Sequence, residues 1–222
     1  MSLHSVLVDL TITTSVLCAL ITIYKYNIFL PIEKRFAIFI IGGACFEMIA
    51  TTLMKVAPSG NNLPGLHAYT LFQFVALFYF FVGAYKTFGF HSKYLNIFVN
   101  VGIAAIILNS VFFQSIFVYN SVSKTFVEFS VLAGCIAFFF FLISDKNYDI
   151  ARTRPLVAFV TGVFLNSAVS IIHYLFSNYV LEMERSLSVK IAILHVIVNL
   201  ITYLMFALGV AQIILRNIRQ SG

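Results

Sequence analysis

Six ionisable side chains interrupt otherwise apolar stretches of this 222-residue chain: Asp9, Glu47, Glu128, His67, His173 and His195. Moving a charge into hydrocarbon costs on the order of 2.5 kcal/mol or more, so such residues face a bundle interior or a wet cavity. Carboxylates accept hydrogen bonds and attract cations, whereas imidazoles exchange protons or ligate metals. The chemistry to weigh is therefore ligand binding, proton exchange or metal coordination inside a membrane.

For a metal, the candidate ligands are Glu47, Glu128, His173 and His195, a nitrogen and oxygen set suited to zinc or a similar ion. An intramembrane metal-dependent hydrolase acting on lipids is the enzyme alternative. The histidines are scattered singly, with neither HExxH nor HxxxH, and no P-loop or glycine-rich nucleotide motif occurs. Ser170 and His173 lie one turn apart but lack an assignable oxyanion hole, so no residue is given a catalytic role. A bland role competes at every position, because Asn, Ser, Thr and Gln also join transmembrane helices by hydrogen bonds of about 0.6–2 kcal/mol.

The elements that must position these residues are apolar runs of about 20 residues, the length that spans a bilayer. With 61% hydrophobic residues, 10% charged residues and a mean hydropathy of +0.98, the composition excludes an ordinary soluble domain. Runs near 6–24, 36–54, 67–85, 94–113, 125–143, 155–176 and 190–215 predict an all-α polytopic membrane protein with seven transmembrane helices in a single domain over 1–222.

Orientation is read from the loops, since cytoplasmic loops carry an excess of Lys and Arg. Lys25, Lys34, Arg35, Lys86, Lys93, Lys146, Arg152, Arg154, Arg216 and Arg219 fall on one side, against Lys55, Lys124, Arg185 and Lys190 on the other. The expectation is an N-terminus outside and a C-terminus inside, in a bacterial cytoplasmic membrane. The net charge of +6 is then a topology signal rather than a sign of nucleic-acid binding, with Arg216 and Arg219 placed to touch anionic headgroups of the lipid bilayer. Asp9 lies early in the first run with no Lys or Arg before it, which argues against a cleaved leader. Cys18, Cys45 and Cys135 read as small hydrophobes, and Tyr24, Tyr26, Tyr94, Tyr119, Tyr174 and Tyr179 as an interfacial belt. The stretch from Lys55 to Leu66, KVAPSGNNLPGL, cannot continue a helix and reads as a cap over the outer face. Pro155 suits the first turn of the sixth helix.

A parallel internal repeat is also expected, covering 6–85 and 125–215 with helix 94–113 as linker. A shift of 119 lays Asp9 on Glu128, Gly43 on Gly162, Glu47 on Asn166 and Thr51 on Ser170; a shift of 126 lays Tyr69 on His195, Gln73 on Asn199 and Gly83 on Gly209. Gly43 and Gly162 would be close-packing positions. In helix count, orientation and repeat, the chain resembles the three-plus-one-plus-three seven-helix group of SWEET-type sugar transporters and microbial rhodopsins. Retinal is not expected, because Lys190 lies at the outer end of the last helix and Thr202 and Tyr203 occupy its middle. The Pro-Gln pair of SWEET-related carriers is missing too. LHAYTLFQF, residues 66–74, is similar to a stretch of bacterial membrane proteins without an attached function.

Residues three or four apart share a helix face, which groups Asp9 with Thr13, Glu47 with Thr51, and Thr70 with Gln73. It also aligns Gly162, Asn166, Ser170 and His173, and separately His195, Asn199, Thr202 and Tyr203, while Asn109 and Glu128 join from helices four and five. At about 1.5 Å per residue most of these fall in the outer halves of their helices, with Asn166 and Asn199 deeper. No Lys or Arg is expected centrally, so the carboxylates would hold protons unless a cation arrives. The expected ligand-binding residues are Glu47, Gln73, Asn109, Glu128, Asn166, His195 and Asn199, around a small polar or cationic ligand, in a receptor- or sensor-like protein or a carrier. The inner halves are rich in Phe, as in Phe138 to Phe141, which favours the receptor and leaves the basic inner loops to meet a cytoplasmic signalling partner. Beyond a metal ion, which the donors would allow, no cofactor is expected.

Overall fold

A backbone in hydrocarbon must satisfy its own N–H and C=O groups, which leaves the helix as the open choice for an apolar run. The computed structural model describes residues 3–56, 62–90, 93–117, 119–144, 150–183 and 185–221. Its helices are α1 (Leu3–Tyr24), α2 (Pro31–Val56), α3 (Leu63–Thr87), α4 (Lys93–Leu108), α5 (Ser121–Ser144), α6 (Ile150–Met183) and α7 (Arg185–Ser221). Among the described residues, seven helical segments are long and apolar enough to cross a membrane.

Local chemistry sets the ends. α2 opens on Pro31 and α3 carries Pro64 in its first turn, where a missing N–H costs nothing. α3 closes on Gly89 at φ 76, with Gly89 N–H donating to the Lys86 carbonyl and Phe90 N–H to that of Tyr85, a left-handed termination that glycine adopts freely. The stretch 55–66, expected as a non-helical cap over the outer face, is helical at both ends, where residues 55–56 finish α2 and residues 63–66 open α3, because Pro64 is tolerated in a first turn; residues 57–61 lie outside the described residues.

The fourth helix departs from the expected continuous run. α4 stops at Leu108 and widens into a π turn over Asn109–Phe113, closed by Gln114 N–H donating to the Asn109 carbonyl at 2.7 Å, while the Asn109 side-chain amide donates to Gln114 Oε1 at 3.0 Å and Ser123 Oγ at 2.8 Å. α6 starts earlier than expected, so Pro155 lies inside it rather than in its first turn, which forfeits one backbone hydrogen bond.

Neighbouring helices pack in the order α1, α2, α3, α5, α6, α7 and back to α1, with α4 outside this circle against α3. Gly102 of α4 lets the ring of Phe74 approach its backbone. The outward faces display Leu17, Leu20, Val101, Phe112, Ile143 and Leu204, the surface a bilayer would cover. Tyr24 and Tyr94 are exposed, as a belt requires, whereas Tyr174 is buried in the bundle because its ring packs between Tyr119 and His173. Cys18 and Cys135 are buried and Cys45 is exposed.

At the end where α2 begins and α7 finishes, aromatic rings fill the interior. Phe36 is fully buried, stacked 4.4 Å from Phe159 and edge-on to Phe80 and Phe206, each at 5.1 Å. One turn before Phe36, the buried Glu33 receives both Arg216 guanidinium nitrogens, at 2.6 and 2.9 Å, and the Leu30 N–H at 2.8 Å. This two-pronged pair ties the start of α2 to the end of α7.

Of the two expected close-packing glycines, Gly162 qualifies: a Cβ there would lie 3.2 Å from the Thr202 carbonyl and 3.0 Å from Phe206. Gly43 does not, since its nearest neighbour would be the Tyr203 hydroxyl at an ordinary 3.7 Å. Gly209 is tighter still, because a methyl would overlap the buried ring of Phe159.

Gly209→Ala should therefore cost about 1–3 kcal/mol through overpacking and lower the thermal unfolding midpoint in detergent. Gly83→Ala, which displaces the movable tips of Arg35 and Ile32, should lower it less. Arg216→Ala strands the Glu33 carboxylate and should cost about 3–5 kcal/mol, detected as a lower unfolding midpoint than that of the double variant Arg216→Leu/Glu33→Leu.

Candidate ligand-binding site

At the opposite end, where α2 finishes and α3 begins, the bundle encloses a cavity of about 180 Å³. An apolar cavity near 150 Å³ holds benzene, so this space suits a ligand of roughly six to eight non-hydrogen atoms. Phe39, Leu77, Val163 and Phe206 form its floor, above the Phe36 layer, and Asn62, Gly65 and Leu66 lie at its α3 rim.

Six of the seven residues expected to bind ligand line this cavity: Glu47, Gln73, Glu128, Asn166, His195 and Asn199. Asn109 does not, because its amide is spent on the π turn and on Ser123. Asp9 is exposed on α1, and His67 is buried with Nδ1 3.0 Å from Ser110 Oγ; neither lines the cavity. His173 lies behind the wall, its ring stacked 4.8 Å from that of His195.

The largest correction concerns charge. Lys124, expected in a loop, is buried at 2% exposure and lines the cavity. Its ammonium lies 3.1 Å from Glu128 Oε1 and donates to Gln73 Oε1, while Gln73 Nε2 donates back to the same Glu128 oxygen at 3.1 Å. The rings of Tyr69 and Tyr174 lie 4.7 and 5.4 Å from the ammonium, an arrangement that adds cation–π attraction. The expectation of an interior without a central cation thus fails, because burial of Lys124 is compensated on every side. Its signal in the sequence was the Lys124–Glu128 spacing of four, one helical turn. Glu128 Oε2 is buried without a hydrogen-bond partner among the described residues.

Two further hydrogen-bonded groups complete the walls. Glu47 accepts from the Tyr203 hydroxyl at 2.9 Å on Oε1, and its Oε2 lies 2.6 Å from Ser15 Oγ. Among the described residues no Lys, Arg or His reaches it within ion-pair distance. On the α6–α7 side, Ser170 donates to Asn166 Oδ1 at 3.0 Å and lies 3.1 Å from His195 Nε2, while Asn199 Nδ2 lies 3.4 Å from His195 Nδ1. Ser170 spends its one hydrogen on Asn166, so a full bond with His195 needs Nε2 as donor, and Nδ1, facing the Asn199 amide nitrogen, as acceptor. The network therefore assigns His195 the neutral tautomer that donates from Nε2 to Ser170 and accepts from Asn199.

Nitrogen and oxygen donors for a metal are present, yet among the described residues no three His, Cys, Asp or Glu side chains come close enough to share one ion. Residues outside the expected ligand set include Lys124, Tyr69, Tyr174 and Tyr203 of the lining, and Ser15 behind Glu47. Compared with protein-family models, curated proteins and solved structures, the chain gives no match.

Lys124→Met and Glu128→Gln should each destabilise the protein, Lys124→Met by about 3 kcal/mol because it leaves a buried carboxylate unpaired. The double variant should lose clearly less than the sum, and a double-mutant cycle on unfolding midpoints measures that coupling.

Proposed function

We propose that this chain is a ligand-binding seven-helix membrane protein, receptor- or sensor-like, whose cavity takes a small polar or cationic molecule. The observation that carries this reading is the cavity itself: an apolar floor, polar walls with fixed hydrogen-bond directions, and room for a few heavy atoms. Orientation by the positive-inside rule would open the cavity outward and set the Glu33–Arg216 pair on the cytoplasmic side, near the basic loops that a signalling partner would meet.

A carrier is the second reading, favoured by the packing order. The circle of helices maps onto itself when α1, α2 and α3 exchange with α5, α6 and α7, leaving α4 as the linker. Glu47 and Asn166, Tyr69 and His195, and Gln73 and Asn199, which the two sequence shifts pair, all line the cavity. These features support a parallel repeat of the kind that alternates access in carriers. Against transport stands the aromatic floor, where Phe36 packs against Phe39, Phe80, Phe159 and Phe206 with no polar step among them. The metal-dependent hydrolase lacks a three-ligand donor group among the described residues.

Binding to the purified chain and uptake into proteoliposomes, each with labelled amines, sugars and divalent ions, separate these readings. Saturable binding without flux supports the receptor, and flux supports the carrier. Asn199→Leu, which removes an amide from the wall and leaves His195 Nδ1 unpaired, should weaken binding at least tenfold. A cavity that binds none of the three classes would overturn the proposal.

A further inference from the structure

Glu47 poses a problem of hydrogen counting. Three contacts meet around it: Tyr203 Oη to Oε1 at 2.9 Å, Ser15 Oγ to Oε2 at 2.6 Å, and Ser15 Oγ to the Ile12 carbonyl at 2.9 Å. The Tyr203 and Ser15 hydroxyls supply two hydrogens between them. Ser15 has one hydrogen for its two contacts, and sharing it between Ile12 and Glu47 would weaken both. All three contacts become hydrogen bonds when Glu47 brings the third hydrogen, donating from Oε2 to Ser15 while Ser15 donates to Ile12.

Charge points the same way. Lys124 is committed to Glu128 and Gln73, so it does not balance Glu47. An ionised Glu47 would leave the lining one negative charge in excess, since His195 is neutral by its hydrogen bonds. The titratable or charged groups around Glu47 are Cys18 on α1, Tyr69 on α3, the Lys124–Glu128 pair on α5, and Tyr203 and His195 on α7. From α6 the wall offers the amide of Asn166 and the hydroxyls of Ser167 and Ser170. Among these groups the one cation is Lys124, already paired with Glu128, so none is left to offset Glu47.

The same surroundings describe an occupant. Glu47 and Glu128 face the cavity from α2 and α5, Glu128 Oε2 awaits a donor, and the rings of Tyr69 and Tyr174 already flank one ammonium, that of Lys124. The space admits only a few heavy atoms.

We propose that the cavity binds a small organic ammonium ion in exchange for a proton: Glu47 shares a proton with Ser15 when the cavity is empty and releases it to the open end when the ammonium enters. This deepens the ligand-binding reading and rests on it. The exchange balances, because one monovalent cation enters as one proton leaves; the Glu47 O–H bond breaks, and Ser15 turns its hydrogen from Ile12 to the new carboxylate.

Methylammonium and tetramethylammonium are the probes, used on the full chain in lipid vesicles. Tetramethylammonium has no proton to give, so a proton released on its binding comes from the protein. Infrared difference spectra of the empty protein at neutral pH should contain the carbonyl stretch of a protonated carboxylic acid. That band should vanish in Glu47→Gln, shift in Ser15→Ala, and disappear on ammonium binding as close to one proton per ion is released. Apparent affinity should rise up to tenfold per pH unit while Glu47 holds its proton, since the proton and the ammonium compete. Glu47→Gln should lose the proton release and the pH dependence together. Lack of the band in the empty wild type overturns the proton site while leaving ligand binding intact. A band that persists with ammonium bound overturns the exchange. Sugar or divalent-ion binding without ammonium binding overturns the ligand class alone.

Discussion

A lysine ammonium cannot be left in a low-dielectric interior without compensation, and the burial of Lys124 organises one half of this molecule. The partner carboxylate comes from Glu128 one turn away on the same helix. That pairing still leaves donors and acceptors to satisfy, and Gln73 of α3 meets both partners at once, accepting from Lys124 and donating to Glu128. A flipped amide would break both bonds, so α3 and α5 are held in one register. Tyr69 from α3 and Tyr174 from α6 flank the remaining sides of the cation. A buried pair of this kind adds little net stability but penalises arrangements that separate its members.

With the Lys124 charge absorbed, the polar wall divides into three hydrogen-bonded networks that share one cavity. One is the Lys124, Glu128 and Gln73 triangle; the second joins Glu47 to Ser15 and Tyr203; the third runs from Asn199 through His195 and Ser170 to Asn166. Each network bridges at least two helices. The polar side chains of the wall are therefore held by hydrogen bonds, and they present defined donors and acceptors to whatever enters.

The other half is built by opposite means. Rings from α2, α3, α6 and α7 fill the interior around Phe36, and the Glu33–Arg216 pair closes the end beyond them. α7 takes part in both halves, with His195 and Asn199 in the wall, Phe206 in the floor and Arg216 in the closing pair.

Much of this was legible in the sequence. Hydrocarbon forces apolar runs into helices, so seven spans followed from composition and length. Helical periodicity placed Asn166 with Ser170, and His195 with Asn199 and Tyr203, on common faces that do line the cavity. Periodicity says which residues share a face, however, and not which neighbour that face meets. Asn109 had the depth of a ligand residue, yet it sits at the start of a π turn and its amide is bonded to Gln114 and Ser123 instead. Lys124 looked like a loop cation near a helix end; only the carboxylate, amide and tyrosines gathered from three helices decide that it turns inward. Sequence alone determined the helices and their polar stripes, because both follow from local backbone and solvent physics. The rotation of each stripe, the pairing of charges and the existence of a cavity depended on the tertiary structure, because the cost of burying a polar group is set by partners supplied from elsewhere in the chain.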